Sequence, residues 1–450
     1  MIVLTTLFFM WGFMTVMNDV LIPHLKVVFT LSYAQSLLIQ FCFFGAYGLG
    51  SFVYYLYSRG GTDPILKLGY KRASMAGLLI SAAGAALFVP ATYLHFYGAY
   101  LIALFVLGLG FTLLQIAANP FVALVGVPEH AGGRLNLAQG FNSLGTTLAP
   151  VIGGALIFQF FAGDQAVRWP YFFFALLLLG QVLWLWLTPL PEPAAIHMEN
   201  TKVDAWRSPQ LRRGMLAIFF YVGAEVSIGS LLISFIGLPQ IAGLPPEDAD
   251  SFLSLYWGGA MIGRFLGSIS LGGKGTGLQR TTWMILVALA LAALIYAINS
   301  GDGHITLHHM MIFFAFVAMN IVLLRIAGKS VGVAMGLFSL AAVLLVTGSV
   351  VQSGEAALWS LVAIGLFNSI LWSNIFSLSI AGLKEATGQG SSLLVMMIIG
   401  GAVIPLLQGG IADTIGGGNG LQLSFLIPAV CYLYLAWFGF IGSRAPTLRS

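Results

Sequence analysis

Residues 110–121 read GFTLLQIAANPF, and residues 365–376 read GLFNSILWSNIF. Set 255 positions apart, Gly110, Asn119 and Phe121 meet Gly365, Asn374 and Phe376. The same offset carries Gly133 to Gly388 and Pro150 to Pro405. Each coincidence is weak alone; the shared offset marks an internal repeat. Nearer the start of each copy the offset is 211, taking Phe8, Phe9 and Gly12 to Phe219, Phe220 and Gly223. The two offsets differ by 44 residues, the size of a helical hairpin, so the second copy carries an addition between its anchors.

Both copies lie in apolar surroundings. Of 450 residues, 59% are hydrophobic and 8% charged, against about 25% charged in soluble domains, and the mean hydropathy is +0.94. So little charge cannot cover a water-facing surface, which excludes soluble enzymes, nucleic-acid binders, secreted disulfide scaffolds and disordered chains. Cys42 and Cys431 each sit inside an apolar run, so neither a disulfide framework nor a metal cluster is expected. Apolar stretches long enough to span a bilayer fall near 3–22, 33–58, 73–92, 98–127, 135–161, 170–188, 214–237, 250–271, 281–299, 308–326, 331–350, 355–382, 390–412 and 421–442. The expected fold is an all-α polytopic membrane protein of about 14 spans. It comprises an N-terminal six-helix bundle over 1–188, a linker over 189–213 with Pro189, Pro191 and Pro193, and a C-terminal bundle over 214–450. The extra pair of spans forms an inserted transmembrane hairpin at about 275–327.

Basic residues orient the chain, because Lys and Arg accumulate in cytoplasmic loops. With both termini inside, sixteen of the nineteen fall in cytoplasmic segments, the linker among them; Lys26 and Arg168 lie opposite and Arg264 within a span. The chain opens directly in a span, so no cleavable signal peptide is expected.

Several motifs carry a family resemblance: FFMWGFMTVMNDVLIPHL (8–25), AANPFVALVG (117–126), RLNLAQGFNSLGTTLAP (134–150), YVGAEVSIGSLL (221–232), GGAMIGRFLGS (258–268), GLFNSILWSNIFSLSI (365–380) and GGAVIPLLQGGIAD (400–413). Together they resemble the fucose:proton symporter group of the major facilitator superfamily, nearest its bacterial glucose/galactose transporter branch, along nearly the whole chain except about 275–327. The resemblance implies a twelve-helix major facilitator core, alternating access, and uptake of a monosaccharide driven by a sodium or proton gradient. It also implies a bacterial inner-membrane location, function as a monomer among membrane lipids, no nucleic-acid partner, and no cofactor beyond the coupling ion. Fucose symporters carry a glutamate just before AANPF; here Gln115 stands there, and an amide cannot load a proton. The glucose/galactose branch shares the glutamine and includes sodium-linked members.

An ionisable side chain inside a span is costly and, by default, functional. Two acids lie well inside spans, Asp19 and Glu225. Asp19 forms a polar patch with Thr15 and Asn18. It reads as a Na+ ligand or a proton carrier, against a purely structural carboxylate, since a carboxylate can bind a hard cation through oxygen or take a proton. The match to the family's first-helix aspartate favours coupling. Gln115 and Asn119, one turn apart, are candidates to complete a cation site, while Asn119-Pro120 also reads as a kink element. Glu225, one turn after Tyr221, reads as an acceptor for sugar hydroxyls rather than as an ion ligand.

Asn136, Gln139, Asn142, Ser143 and Thr146 form a polar stripe that could glue helices or meet substrate. The resemblance assigns sugar contacts to Gln139 and Asn142. In the second copy Trp257, Asn368, Trp372 and Asn374 supply rings to stack on a pyranose and amides to read its hydroxyls. Arg264 reads as a structural side chain that snorkels or pairs with loop carboxylates. His304, His308 and His309 fall in the turn of the inserted hairpin and read as solvated, without a metal.

The resulting expectation is a sodium-coupled hexose transporter, glucose- or galactose-like, with proton coupling as the alternative driver. A non-translocating membrane sugar receptor is the alternative of another class. Two pseudo-equivalent halves argue against it, since such repeats suit rocking better than static binding. An enzyme is not expected: no Ser/His/Asp set, metal motif or nucleotide loop stands out.

Overall fold

The computed structural model describes residues 2–59, 65, 68–124, 131–190, 205–271, 276–299, 305–328, 330–381, 383 and 387–443. They are almost entirely helical, as runs of Leu, Ile, Val, Phe and Ala without water must be, because only a helix satisfies its own backbone inside lipid. The first unit holds α1 (Ile2–Val28), α2 (Leu38–Arg59), α3 (Tyr70–Leu94), α4 (Tyr97–Leu124), α5 (Ala131–Gly154, ending in a π-helical turn at Ala155–Phe160) and α6 (Gln165–Leu187). The second holds α7 (Pro209–Ile236), α8 (Pro246–Leu271), α9 (Gly277–Asn299), α10 (Leu307–Ala327), α11 (Val331–Val351), α12 (Gly354–Ile380), α13 (Leu393–Ile415) and α14 (Gly417–Gly442).

The sequence predicts about fourteen spans; twelve helices among the described residues are long and apolar enough to cross a membrane. The other two stretches are helical as well. In α2 the apolar run among the described side chains is Leu38–Tyr54. α8 opens with Glu247, Asp248 and Asp250 and carries Arg264, which dilutes its hydropathy.

Helix starts follow local chemistry. Ser208 caps α7 by accepting from the Leu211 N–H, with Pro209 at the first position, and Ser330 caps α11 through the Val333 N–H. Thr306 and His309 form a reciprocal capping box on α10. At the other kind of end, Lys71 donates to the carbonyls of Trp186 (3.1 Å) and Thr188 (2.8 Å), satisfying the C-terminus of α6.

The chain divides into two compact units, Met1–Leu31 with Gln35–Lys202, and Val203–Ser450 with Ser32–Ala34. Within the first, α1 packs on α5, α2 and α3 on α4, and α3 on α6. Within the second, α7 packs on α13, α8 and α11 on α12, and α11 on α14. These pairings correspond when α7, α8, α11, α12, α13 and α14 stand for α1 to α6, although α7 also packs extensively on α12 and α14. The repeat offset of 255 appears in the packing itself: a side chain on Gly145 would collide with the Phe9 carbonyl of α1, and one on Gly400 with the Phe219 carbonyl of α7. That correspondence leaves α9 and α10 over. They lie against α8, α11 and α12, and their apolar windows are only 22% and 33% buried.

Candidate functional site

In the first unit the polar centre is built on α1. Asn18 and Asp19 are buried in an otherwise apolar helix, and Asp19 accepts from Gln40 Nε2 of α2 at 2.8 Å. Asn18 Nδ2 reaches Gln40 Oε1 at 3.5 Å, and Asn18 Oδ1 has no hydrogen-bond partner. Three oxygen-bearing groups therefore share one buried spot, with a single carboxylate among them. Gln40 is absent from the sequence-based candidates; its signal was a lone amide in LIQFCFF (38–44). Thr15, expected in the same patch, donates instead to its own helix at Trp11 O (2.8 Å).

The structure separates Gln115 from this centre. Gln115 stands with Leu7, Phe8, Trp11, Leu114 and Ala118 around a narrow crevice. Trp11 lies eight residues before Asp19, or ~12 Å along the helix. Gln115 thus faces a level about two turns from Asp19, not the same oxygen cage. The reason is register, because residue spacing within α4 says nothing about the height at which it meets α1. The side chains of Asn119 and Asn136 lie outside the described residues.

Along α5 the hydroxyls and amides part ways. Ser143, Thr146 and Thr147 donate to carbonyls of their own helix. Asn142 reaches across to the Phe8 carbonyl of α1 at 3.0 Å, and Gln139, one turn away, stays half-buried.

The second unit holds a longer network. Tyr432 of α14 donates to Asn368 Oδ1 (2.7 Å), Asn368 Nδ2 to Tyr256 Oη of α8 (2.9 Å), and Tyr256 to the Glu225 carbonyl of α7 (3.1 Å). Tyr221, one turn before Glu225, donates to its carboxylate Oε1 at 2.6 Å. The Arg264 guanidinium of α8 acts electrostatically on both Glu225 and Tyr221. Arg264, expected as a structural side chain, thus also bears electrostatically on the buried acid of the neighbouring helix.

Trp372 tilts against Tyr221 with ring centroids 6.4 Å apart, and Trp257 meets Tyr256 edge-on at 5.1 Å. Of the six sugar candidates, Glu225, Trp257 and Asn368 are joined through Tyr256. Trp257 Nε1 and Asn374 Nδ2 are buried donors without a protein acceptor. Tyr256 and Tyr432 are missing from the sequence-based candidates, because a tyrosine in an apolar helix is indistinguishable there from an interfacial ring.

Of the hairpin histidines, His308 is exposed, as its reading as solvated expects, and lies 3.5 Å from Glu355; His309 departs from that reading, since it is half-buried, caps α10 and packs edge-on against Phe252 at 5.5 Å. His304 lies outside the described residues. No group of three or more His, Cys, Asp or Glu among the described residues could hold a metal ion.

The sequence profile of the Major Facilitator Superfamily matches residues 2–345. The chain belongs to the major facilitator superfamily. Among the superfamily's curated members it is 42% identical over 451 residues to a glucose/galactose transporter of Brucella abortus biovar 1 (strain 9-941), covering 98% of this chain and 93% of that one. It is 29% identical over 474 residues to an L-fucose-proton symporter of Escherichia coli (strain K12), covering 99% and 93% respectively. In three dimensions it resembles the crystal structure of an Escherichia coli fucose:proton symporter variant at 26% identity and a TM-score of 0.62, over 98% of both chains. The major facilitator fold read from the motifs is therefore the fold of this chain, and the relatives named here are transporters rather than enzymes.

Proposed function

We propose that this superfamily member is a secondary active transporter that takes up a hexose, glucose- or galactose-like, by alternating access and coupled to a cation at Asp19. The hexose rests on the 42% identical relative named a glucose/galactose transporter. The observation that carries the coupling is the buried Asp19–Gln40 bond of 2.8 Å beside the unpartnered Asn18 Oδ1. A buried carboxylate is costly unless compensated, and oxygen ligands around it suit a sodium ion. Sugar hydroxyls would meet Gln139 and Asn142 in the first unit, and Glu225, Trp257, Asn368 and Asn374 in the second. Trp257 and Asn374 each present a buried donor with no acceptor, matching a ligand rich in lone pairs. Gln115 serves the sugar or the cleft beside Trp11 rather than the cation's inner ligands.

A second reading makes the proton the driver, with Asp19 as its carrier. It is favoured by two relatives named L-fucose-proton symporters, at 29% and 25% identity. Purified protein in proteoliposomes decides between them: labelled glucose, galactose, fucose and mannose are offered under imposed sodium or pH gradients. Sodium-driven accumulation supports the first reading; acid-driven, sodium-independent accumulation replaces it with the second. Saturable sugar binding without counterflow would overturn both in favour of a receptor.

The membrane placement follows from charge. The bias of Lys and Arg supports both termini facing the cytoplasm of a bacterial inner membrane, with the monomer surrounded by lipid.

A further inference from the structure

Two buried side-chain contacts tie the described residues of the hairpin α9–α10 to the rest of its unit, and they are not equivalent. α10 is apolar over most of its length, and its buried face is the stripe Met310, Phe313, Val317, Asn320, Leu324 and Ala327, spaced by threes and fours. Asn320 sits within that stripe with no exposed surface and donates through Nδ2 to the Leu366 carbonyl at 2.8 Å. Its Oδ1 is buried without a partner. Burying an amide with an unmet oxygen is costly, so a leucine would hold the hairpin in place with less penalty. The amide needs another reason.

Leu366 supplies one. It lies in α12, which breaks into Gly354–Val362, Ile364–Asn368 and Leu371–Ile380. Its counterpart α4 runs unbroken over Tyr97–Leu124 in the unit that has no hairpin. An interrupted helix leaves carbonyls without their regular donors. The Leu366 carbonyl receives two substitutes, Asn320 Nδ2 and Ser369 Oγ (2.7 Å). α8 closes in directly as well: side chains on Gly365 and Gly263 would collide with the Tyr256 carbonyl and the Ser369 side chain. Two residues beyond Leu366 stands Asn368, which links Tyr256 to Tyr432. The hairpin's other contact, Asn299 Nδ2 to Ser254 Oγ at 3.2 Å, joins α9 to α8 and touches nothing in α12.

We propose that Asn320 is a positioning residue: through the Leu366 carbonyl the hairpin fixes the broken turn of α12 and thereby the orientation of Asn368 toward the sugar. This rests on the reading of the Glu225–Tyr256–Asn368 network as a sugar site, and it gives the addition marked by the 44-residue offset a role at that site.

The test compares Asn320→Leu, which keeps volume and removes the donor, with Asn320→Gln, which keeps a donor, and Asn299→Leu, which loosens the hairpin at its other anchor. In proteoliposomes Asn320→Leu should raise the apparent KM for hexose about five- to tenfold with little change in Vmax, and shift the glucose-to-galactose preference. Asn320→Gln should recover at least part of the KM, and Asn299→Leu should lower thermal stability with KM unchanged. Hydrogen–deuterium exchange over residues 364–371 gives a readout without sugar: it should quicken in Asn320→Leu and not in Asn299→Leu. If Asn320→Leu yields no folded protein, Asn320→Ser carries the same comparison. A wild-type KM and unchanged exchange in the Asn320 variants would overturn the proposal, as would an equal KM rise in Asn299→Leu. Quickened exchange in a protein that carries no hexose would instead leave the turn assignment standing and remove the sugar reading.

Discussion

Asp19 and Glu225 are both buried acids, yet their surroundings give them different chemistry. Asp19 has an amide donor and amide oxygens close by; Glu225 has a tyrosine hydroxyl and an arginine. Asp19→Asn mimics a permanently neutral, loaded site. It should abolish gradient-driven accumulation while sugar exchange between vesicle compartments continues, and accumulation that persists would remove Asp19 from coupling. Tyr221→Phe removes a bond to a charged acceptor, worth ~1.5–3 kcal/mol. The expected result is a KM for hexose at least tenfold higher with cation dependence unchanged, read from uptake at varied cation concentration. Both acids were legible from sequence because charge is so rare in these spans. Gln40, Tyr256 and Tyr432 were not, since their meaning comes from the helix opposite.

At the scale of elements, every apolar stretch predicted as a span coincides with a helix, because long lipid-compatible runs have few other options. The interruptions of α12 were not foreseen, as no proline lies between 355 and 382 to mark them. Gly145 and Gly400 allow α5 and α13 to touch the backbones of α1 and α7, so leucine at either position should prevent native packing in its unit. Loss of monodisperse protein in detergent would show it, whereas Gly180→Leu, where a side chain meets open space, should behave as wild type. Lys71→Ala removes two bonds at the end of α6 and should cost about 1–3 kcal/mol of stability. A thermal unfolding midpoint lowered without loss of hexose affinity is the expected signature.

For the whole molecule, the repeat offsets proved more informative than any single motif, since the main pairings of the first unit have counterparts in the second. The sugar's identity was not legible, and for a physical reason: epimers differ in the direction of one hydroxyl, which only the placement of groups such as Asn368 and Trp257 can discriminate. The charge bias predicts that a cysteine introduced beyond Arg444 reacts with membrane-impermeant reagents only after the membrane is opened.

α9 and α10 contain 23 and 21 residues, or ~32–35 Å of helix, close to the ~30 Å of hydrocarbon they must match. Most of their apolar windows lie outside the packed unit, free to meet acyl chains, while one amide reaches the Leu366 carbonyl, two residues before Asn368. If Asn320 positions a sugar site as proposed, bilayer thickness becomes an input to sugar recognition. Vesicles made from progressively longer phospholipids should shift the wild-type KM, and Asn320→Leu should be deaf to the change.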